Sequence, residues 1–249
     1  MLSKSKEGKL SEKRRVLELP ELTPPRNIRL KFIKEGTLQY ISHLDLQRTF
    51  NRIINRACLP VWYTKGFNPH IKMVFSTPLS VGTESVCEYL DIRIDREMSC
   101  EEIMKRLNEG MTDEFHIVDA YLPSSDFSEI SWADYKIIIN TRGADEKMAE
   151  EIQKTLTTSP LTLVKKTKAG EKEIDIIPLI YAVNTCYNKD TGSIDIDATV
   201  SASTNEYLNP EMLISGLKSR LGILSGEPTK EYYSIKRTEL LKSDMTKFS

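Results

Sequence analysis

Residues 40–82 read YISHLDLQRTFNRIINRACLPVWYTKGFNPHIKMVFSTPLSVG, and this stretch decides how the first half of the chain is interpreted. Its apolar residues at positions 46, 50, 53, 54 and 57 repeat at helical spacing and predict a single buried stripe. Ser42 precedes the stripe and Asp45 follows three residues later, a capping pattern that marks the start of a helix. Leu59-Pro60 predicts the end of the helix, because a residue before proline avoids the helical conformation.

The elements around this helix follow one order twice along the chain. Each half reads as strand, helix, short strand, long hairpin, helix and strand, and Pro60 and Pro160 open the two short strands. Without the short strand this is the β-α-β-β-α-β order of ferredoxin-like domains. We therefore predict an α+β protein with two tandem ferredoxin-like domains. Each has an extra short strand and an antiparallel sheet with helices on one face.

Composition sets the predicted boundaries. Residues 1–25 are rich in Lys, Glu and Ser and end in Thr-Pro-Pro, which predicts a mobile N-terminal tail. Residues 26–123 form the first predicted domain, which carries the candidate site. The Ser- and Asp-rich residues 124–134 are predicted as a linker, and residues 135–249 as the second domain.

The bulk composition indicates a soluble cytoplasmic protein. Of the 249 residues, 39% are hydrophobic and 29% charged, and no apolar run approaches the roughly 20 residues that a membrane helix needs. The four cysteines show neither CxxC nor zinc spacing, which favours free thiols in a reducing compartment. The chain lacks the Gly-rich, Walker, HExxH and iron–sulfur motifs. We therefore predict no cofactor and no membrane partner.

Positive charge is concentrated in the first predicted domain. Residues 26–80 carry nine basic and two acidic side chains, whereas residues 81–160 carry eight basic and eighteen acidic ones. Arg48, Arg52 and Arg56 recur every four residues and predict a ridge on the helix that can meet phosphates through bidentate hydrogen bonds. The alternatives are a solvated helix face, or mutual neutralisation of the basic and acidic blocks in the fold.

Aromatic residues follow the ridge. Strand alternation places Trp62 and Tyr63 on opposite faces, so only one of them can belong to the core; the other, with Phe67, can stack on a base or a cofactor ring. The loop after them contains a turn-forming glycine and proline. The other residues predicted to bind the ligand are Lys65, Gly66, Asn68, His70 and Lys72.

Two histidines and a carboxylate offer a second chemistry. His43 and Asp45 lie in the first turn of the predicted helix, and His70 lies in the following loop. If they converge, they can bind a divalent metal or supply a general acid or base. The structural alternative is that Asp45 caps the helix and the histidines bond to backbone. Neither histidine spacing matches a known metal-binding motif.

The stretch Tyr40–Gly82 resembles the bacterial radical SAM-linked proteins, an uncharacterised family encoded beside or fused to a radical SAM enzyme. The resemblance rests on Ile41–Leu46 with Arg48, on Arg56-Ala57, on Leu59-Pro60 and Tyr63, on Gly66–His70, and on Phe75, Pro78-Leu79 and Gly82. Ile71 departs from the proline expected after the histidine. The resemblance implies a radical SAM enzyme as partner and no established activity of the chain's own.

These observations leave three functions open. The first is a non-catalytic accessory protein that holds RNA or another phosphate-bearing substrate on a basic face for a radical SAM enzyme. The second is an RNA-processing or metal-dependent enzyme that uses His43 and His70; tandem ferredoxin-like domains with a basic groove are similar to CRISPR repeat-binding endonucleases. The third is a protein-interaction module whose basic face docks the radical SAM partner.

Overall fold

The structure is a computed structural model that describes residues 2–158, 160–167 and 170–249. The chain divides into two compact units. Unit 1 comprises Met1–Val81, Ser85–Ser125 and Ser249, and unit 2 comprises Gly82–Glu84 and Asp126–Phe248. No helix among the described residues is long and apolar enough to span a membrane.

Unit 1 is built from three helices and four antiparallel strands. Strand β1 lies between β4 and β3, and the short β2 pairs with β3. Leu30 of β1 lies opposite Leu90 of β3 and Ala120 of β4, which fixes the register on the core face. In chain order the elements are α1 (Leu2–Leu17), β1 (Glu21–Lys34), a 3-10 helix (Gly36–Tyr40), α2 (His43–Arg56), β2 (Met73–Phe75), β3 (Thr83–Arg96), α3 (Cys100–Asn108) and β4 (Ile117–Tyr121).

The core of unit 1 lies between one face of this sheet and the three helices. Phe32 of β1 and Phe50 of α2 meet edge to face with ring centroids 4.9 Å apart, and Phe115 lies 5.2 Å from Phe50. Such aromatic pairs are worth about 0.5–1.5 kcal/mol beyond the area that they bury. The predicted stripe of α2 is confirmed, because Leu46, Phe50, Ile53 and Ile54 are all buried.

Local interactions determine where α2 begins and where it ends. The Ser42 hydroxyl accepts a hydrogen bond from the Asp45 amide, which confirms the predicted cap. At the other end Cys58 adopts a left-handed backbone with φ of 50°. This allows the Leu59 amide to reach the Ile54 carbonyl at 3.4 Å, as in a Schellman cap. The left-handed turn therefore ends the helix before Pro60, at a position where glycine is usual.

Unit 2 contains a four-stranded antiparallel sheet in the order β10-β5-β9-β8 and a separate β6–β7 hairpin. Its hydrophobic residues alternate along β5, where Ile137 and Ile139 are fully buried. In chain order the elements are a 3-10 helix (Phe127–Glu129), β5 (Ile130–Asn140), α4 (Glu146–Thr157), β6 (Thr162–Thr167), β7 (Gly170–Asp175), a 3-10 helix (Ile177–Leu179), β8 (Ile180–Asn188), β9 (Ser193–Ser201), α5 (Glu211–Leu221) and β10 (Tyr232–Lys242).

The predicted α+β class is confirmed: the described residues contain five α-helices, and their strands pair antiparallel. Two segments differ from the prediction. Residues 1–25, predicted as a tail, contain α1 and the start of β1, because Val16 enters the core and Glu12 forms a 2.7 Å ion pair with Arg106 of α3. Strand β5 begins at Ile130, inside the stretch predicted as a linker.

The basic block also differs from the prediction, because two of its cations are buried. Arg29 is 1% exposed and forms a two-pronged ion pair with Asp91, with distances of 2.8 and 2.9 Å. Its guanidinium also donates to the hydroxyl of Ser125 at 2.9 Å. Lys34 is buried as well, and its ammonium donates to the Gln39 carbonyl at 3.1 Å. These two charges belong to the interior and not to a ligand-binding surface.

Candidate nucleic-acid interface

Helix α2 presents a row of three exposed cations, which we call the arginine ridge: Arg48, Arg52 and Arg56. The rise of an α-helix separates neighbours in this row by about 6 Å. The opposite face of α2 is held against the sheet by Leu46, Phe50, Ile53 and Ile54. The sequence thus fixes the ridge on the outer face of the helix, because the buried stripe leaves only this face open.

The three arginines differ in how much of their charge is available. Arg48 pairs with Asp45 at 3.3 Å, and both side chains are more than half exposed. The hydrogen bond from Ser42, and then that from Arg48, lowers the pKa of Asp45. Arg52 has no ion-pair partner among the described residues, although its charge also acts on Asp45.

Arg56 lies on the side of the ridge that faces α3. It lines a cavity of about 340 Å³ together with Glu102 and Glu109, although no ion pair joins it to either side chain in the described structure. Lys105 and Arg106 line the same cavity, and Arg106 pairs with Glu102 at 2.6 Å. Arg52 and Arg56 are therefore the principal phosphate-binding candidates, because Arg48 already pairs with Asp45.

An exposed loop, which we call the aromatic loop (Thr64–His70), follows Pro60 and Val61. The Thr64 amide donates to the His70 carbonyl at 2.9 Å, and the His70 amide donates to the Thr64 hydroxyl at 3.1 Å. Gly66 has φ of 148°, a conformation that side chains disfavour. These bonds close the base of the loop and leave Phe67 at its tip fully exposed.

A side-chain hydrogen bond joins the aromatic loop to the arginine ridge. Tyr63 precedes the loop and donates from its hydroxyl to Oδ1 of Asn55 at 3.2 Å. Asn55 lies on α2 between Arg52 and Arg56. Tyr63 is 44% exposed, and the half-buried Trp62 packs on Arg93, so neither aromatic belongs fully to the core. The ridge and the loop therefore form one continuous surface.

The remaining predicted ligand-binding residues lie on or beside the aromatic loop. Lys65 and Asn68 are exposed, whereas Lys72 is half-buried beyond the loop. The Nδ1 atom of His70 lies 3.0 Å from the Thr64 hydroxyl and 3.2 Å from the Asn68 carbonyl oxygen. His70 thus holds the shape of the loop from within.

The histidines occupy different surroundings. The ring of His43 packs edge to face on Phe75 with centroids 5.0 Å apart, at the first turn of α2, whereas His70 closes the aromatic loop. A cavity beside His43, lined also by Lys34 and Glu88, holds about 20 Å³, room for little more than one water molecule. Within the described ranges, no group of three or more His, Cys, Asp and Glu side chains is arranged to hold a metal.

A larger cavity, which sequence reasoning missed, adjoins the ridge. It measures about 300 Å³ and has an apolar lining that includes Val16, Leu17, Leu59 and Val61. Its polar and charged groups come from Lys13, Asn55, Tyr63, Asp95 and Arg96. Burial raises the pKa of Asp95, while the charge of Arg96 opposes this shift. No local pattern signals the cavity, because its walls come from α1, α2 and the end of β3.

Unit 2 contains two larger depressions, of about 590 and 630 Å³. In the first, Glu231 is committed to structure: its carboxylate accepts hydrogen bonds from the amides of Arg142 and Gly226, and these bonds lower its pKa. The second is a groove between α4 and β8, where Gln153 donates to the Val183 carbonyl at 2.7 Å. Neither depression combines clustered cations with exposed aromatic rings.

Comparison with known proteins places the chain in a family. The sequence model of DUF2344, described as an uncharacterized protein conserved in bacteria, matches residues 27–210, and the chain belongs to this family. The match confirms the predicted membership of an uncharacterised bacterial family; the association with a radical SAM enzyme stays a prediction. No curated protein sequence matches the chain.

Among solved structures, the chain is similar to a chain of the Cbf5-Nop10-Gar1 complex, with 11% identity and a TM-score of 0.44. That match covers 87% of this chain and 50% of the other, so this chain spans half the length of the chain it matches. DyPB from Rhodococcus jostii RHA1 and a DypB variant in complex with manganese each show 12% identity and a TM-score of 0.20, covering 79% of this chain and 85% of theirs. Scores this low carry no argument about fold or function.

Proposed function

We propose that this member of the DUF2344 family is a non-catalytic binding protein that holds RNA, or another phosphate-bearing substrate, on unit 1. In this proposal it works in the cytoplasm beside a radical SAM enzyme, which supplies the chemistry. The observation that carries the proposal is the continuous surface on which the arginine ridge meets the aromatic loop through the Asn55–Tyr63 hydrogen bond. Exposed guanidiniums bind phosphates, and exposed rings stack on bases.

We also infer that each unit is a ferredoxin-like domain. In unit 2, β5, β8, β9 and β10 are the four strands of a β-α-β-β-α-β sequence in chain order. The sheet order β10-β5-β9-β8 places the first and third of them in the centre and the second and fourth at the edges. Unit 1 follows the same pattern, with β1 between β4 and β3 and with β2 paired to β3. The hairpin β6–β7 of unit 2 is an addition to this order.

The chemistry of the surface suits binding more than catalysis. Phe67 offers a free ring face at the loop tip, and Lys65 and Arg52 place cations on the same surface without acidic partners in the described structure. A single strand that lies along α2 can place phosphates on the guanidiniums while its bases turn toward the aromatic loop. The two histidines serve local packing and loop closure.

The test is the salt dependence of binding to a fluorescent oligouridylate. Each phosphate contact on a single strand contributes about 0.7 to the slope of log K against log salt. Replacement of Arg48, Arg52 and Arg56 by Ala should therefore reduce the slope by up to about 2. Because Asp45 pairs with Arg48, Arg52→Ala and Arg56→Ala should each give a larger effect than Arg48→Ala.

The matched control removes three exposed cations of unit 2, Lys147, Lys154 and Arg220, and so makes the same change in net charge. The proposal requires the control to keep the wild-type slope. It fails if wild type does not bind the oligonucleotide, or if the ridge variant and the control lose the same amount of slope.

A second candidate function is docking of the radical SAM enzyme. Leu44, at the N-terminal end of the row that contains the ridge, is 54% exposed, and Tyr40 lies nearby in the chain with 67% exposure. Exposed apolar residues beside cations are typical of protein interfaces. Co-purification of the enzyme with a Tyr40→Ser/Leu44→Ser variant distinguishes the two: docking predicts loss of the enzyme with oligouridylate binding retained.

A further inference from the structure

The apolar cavity of unit 1 has the size and shape of a small-molecule site. Its volume of about 300 Å³ can accommodate a planar heterocycle. Val16 forms part of the buried wall, whereas Leu17 is 64% exposed at the edge of the cavity. Apolar walls with a few polar groups are the usual character of ligand sites.

The cavity opens beside the surface proposed to bind phosphates. Asn55 and Tyr63 line the cavity, and the same two residues join the arginine ridge to the aromatic loop. A nucleotide whose phosphate lies on Arg52 therefore has the cavity within reach of its base. The cavity combines apolar walls with an aromatic ring and a carboxylate, and it is larger than the cavity beside His43.

Asp95 gives the cavity a hydrogen-bonding preference. Its backbone amide donates to the Pro60 carbonyl at 2.9 Å, which fixes the backbone at the cavity wall. The positive charge of Arg96 and a backbone amide act on its carboxylate, but no side chain in the described part of the structure donates a hydrogen bond to it. A carboxylate only accepts hydrogen bonds, so it favours a base edge with two adjacent donors. Guanine presents such an edge, with N1–H beside the exocyclic amino group, whereas uracil presents one N–H flanked by two acceptors.

We propose that the cavity binds one unstacked guanine of a single-stranded RNA, with the Asp95 carboxylate accepting from N1–H and the amino group. In this arrangement the apolar walls cover the ring, Tyr63 lies at its edge, and the neighbouring phosphate rests on Arg52. The inference rests on the proposed function and extends it. It adds a base-specific contact to a surface that otherwise contacts only phosphates and the faces of bases.

The first measurement uses free nucleosides, which test the cavity without the ridge. NMR titration of the full chain should give guanosine a Kd lower than that of uridine by about tenfold, the worth of one good two-pronged base contact. Asp95→Asn should abolish this preference, because the side-chain NH2 group of asparagine would face a hydrogen-bond donor of guanine. Leu17→Trp fills the mouth of the cavity and should weaken the binding of guanosine. Thermal melting shows whether this variant is folded.

The second measurement uses oligouridylate with and without one central guanosine. The inference predicts that the guanosine strengthens wild-type binding about tenfold but leaves Asp95→Asn unchanged, at an equal salt slope. If oligouridylate binds and neither guanosine nor the substituted oligonucleotide is preferred, the cavity assignment is overturned while the proposed function stands. Guanosine binding without oligouridylate binding supports the cavity and overturns the ridge proposal. Failure of every ligand overturns both.

Discussion

Substitution of Phe67 should change the affinity for RNA without changing the stability of the fold. Phe67 stands at the tip of the aromatic loop with its side chain fully exposed, so Phe67→Ala removes almost no packing. We expect the free energy of unfolding to change by less than about 0.5 kcal/mol. Stacking of one base on an aromatic ring is worth about 1–3 kcal/mol, so the Kd for oligouridylate should rise roughly five- to 150-fold.

The salt series makes this prediction specific. Phe67 carries no charge, so Phe67→Ala should shift log K by a constant at every salt concentration and leave the slope at its wild-type value. Phe67→Tyr keeps the ring and should bind as wild type does, whereas Phe67→Leu keeps an apolar side chain without the ring and should resemble alanine. Anisotropy titrations measure the affinities, and thermal melting checks the fold. Wild-type affinity in Phe67→Ala would refute the stacking argument, and equal binding by the Tyr and Leu variants would refute the role of the ring.

Three further predictions follow from individual charges. Asp45→Asn frees Arg48 and should tighten oligouridylate binding a few-fold at low salt, which anisotropy measures. The pKa of Asp95 is raised in the folded protein, so its ionised form destabilises the fold above that pKa; Asp95→Asn should melt higher than wild type at neutral pH, and the difference should shrink as pH falls through the carboxyl range. Asp91→Ala leaves the buried Arg29 without its carboxylate and should lower the free energy of unfolding by about 3 kcal/mol in urea titrations, with unchanged stability contradicting the role of this pair.

Local pattern explains which features were predictable from sequence. The stripe and cap of α2 depend on residues within fourteen positions of each other, and the outward direction of the arginine ridge follows from them. The exposed loop tip follows from Gly66 and Pro69, which favour a turn. These features needed no knowledge of the rest of the fold.

Long-range contacts explain what was missed. Helix α1 is not predicted because, among its side chains that the structure describes, Val16 is buried and the others are half-buried or exposed. Its ion pair from Glu12 to Arg106 joins residues far apart in the sequence. The burial of Arg29 depends on the register that sets it opposite Asp91. The cavity at Asp95 depends on the same register and on the position of α1. Neither the burial of Arg29 nor the cavity can therefore be predicted from a short stretch of sequence.

Helix α4 of unit 2 shows that packing a helix against a sheet does not itself require the ridge. Helix α4 buries Ala149, Ile152 and Leu156 as α2 buries its stripe. Its sequence, EKMAEEIQKTLT, contains no arginine and alternates acidic and basic side chains. A solvated helix face of this mixed kind is what packing alone needs, so the arginine row of α2 is the stronger candidate for ligand binding.

The most direct test of the central claim is an NMR titration of the isotope-labelled full chain with oligouridylate, read residue by residue. The proposal predicts that the largest shifts of the backbone amides fall on residues 48–56 and 63–70, that they saturate together, and that they weaken together as salt rises. Saturating shifts confined to unit 2, or no shifts at concentrations well above those of specific binding, would contradict the assignment of unit 1 as the RNA-binding surface.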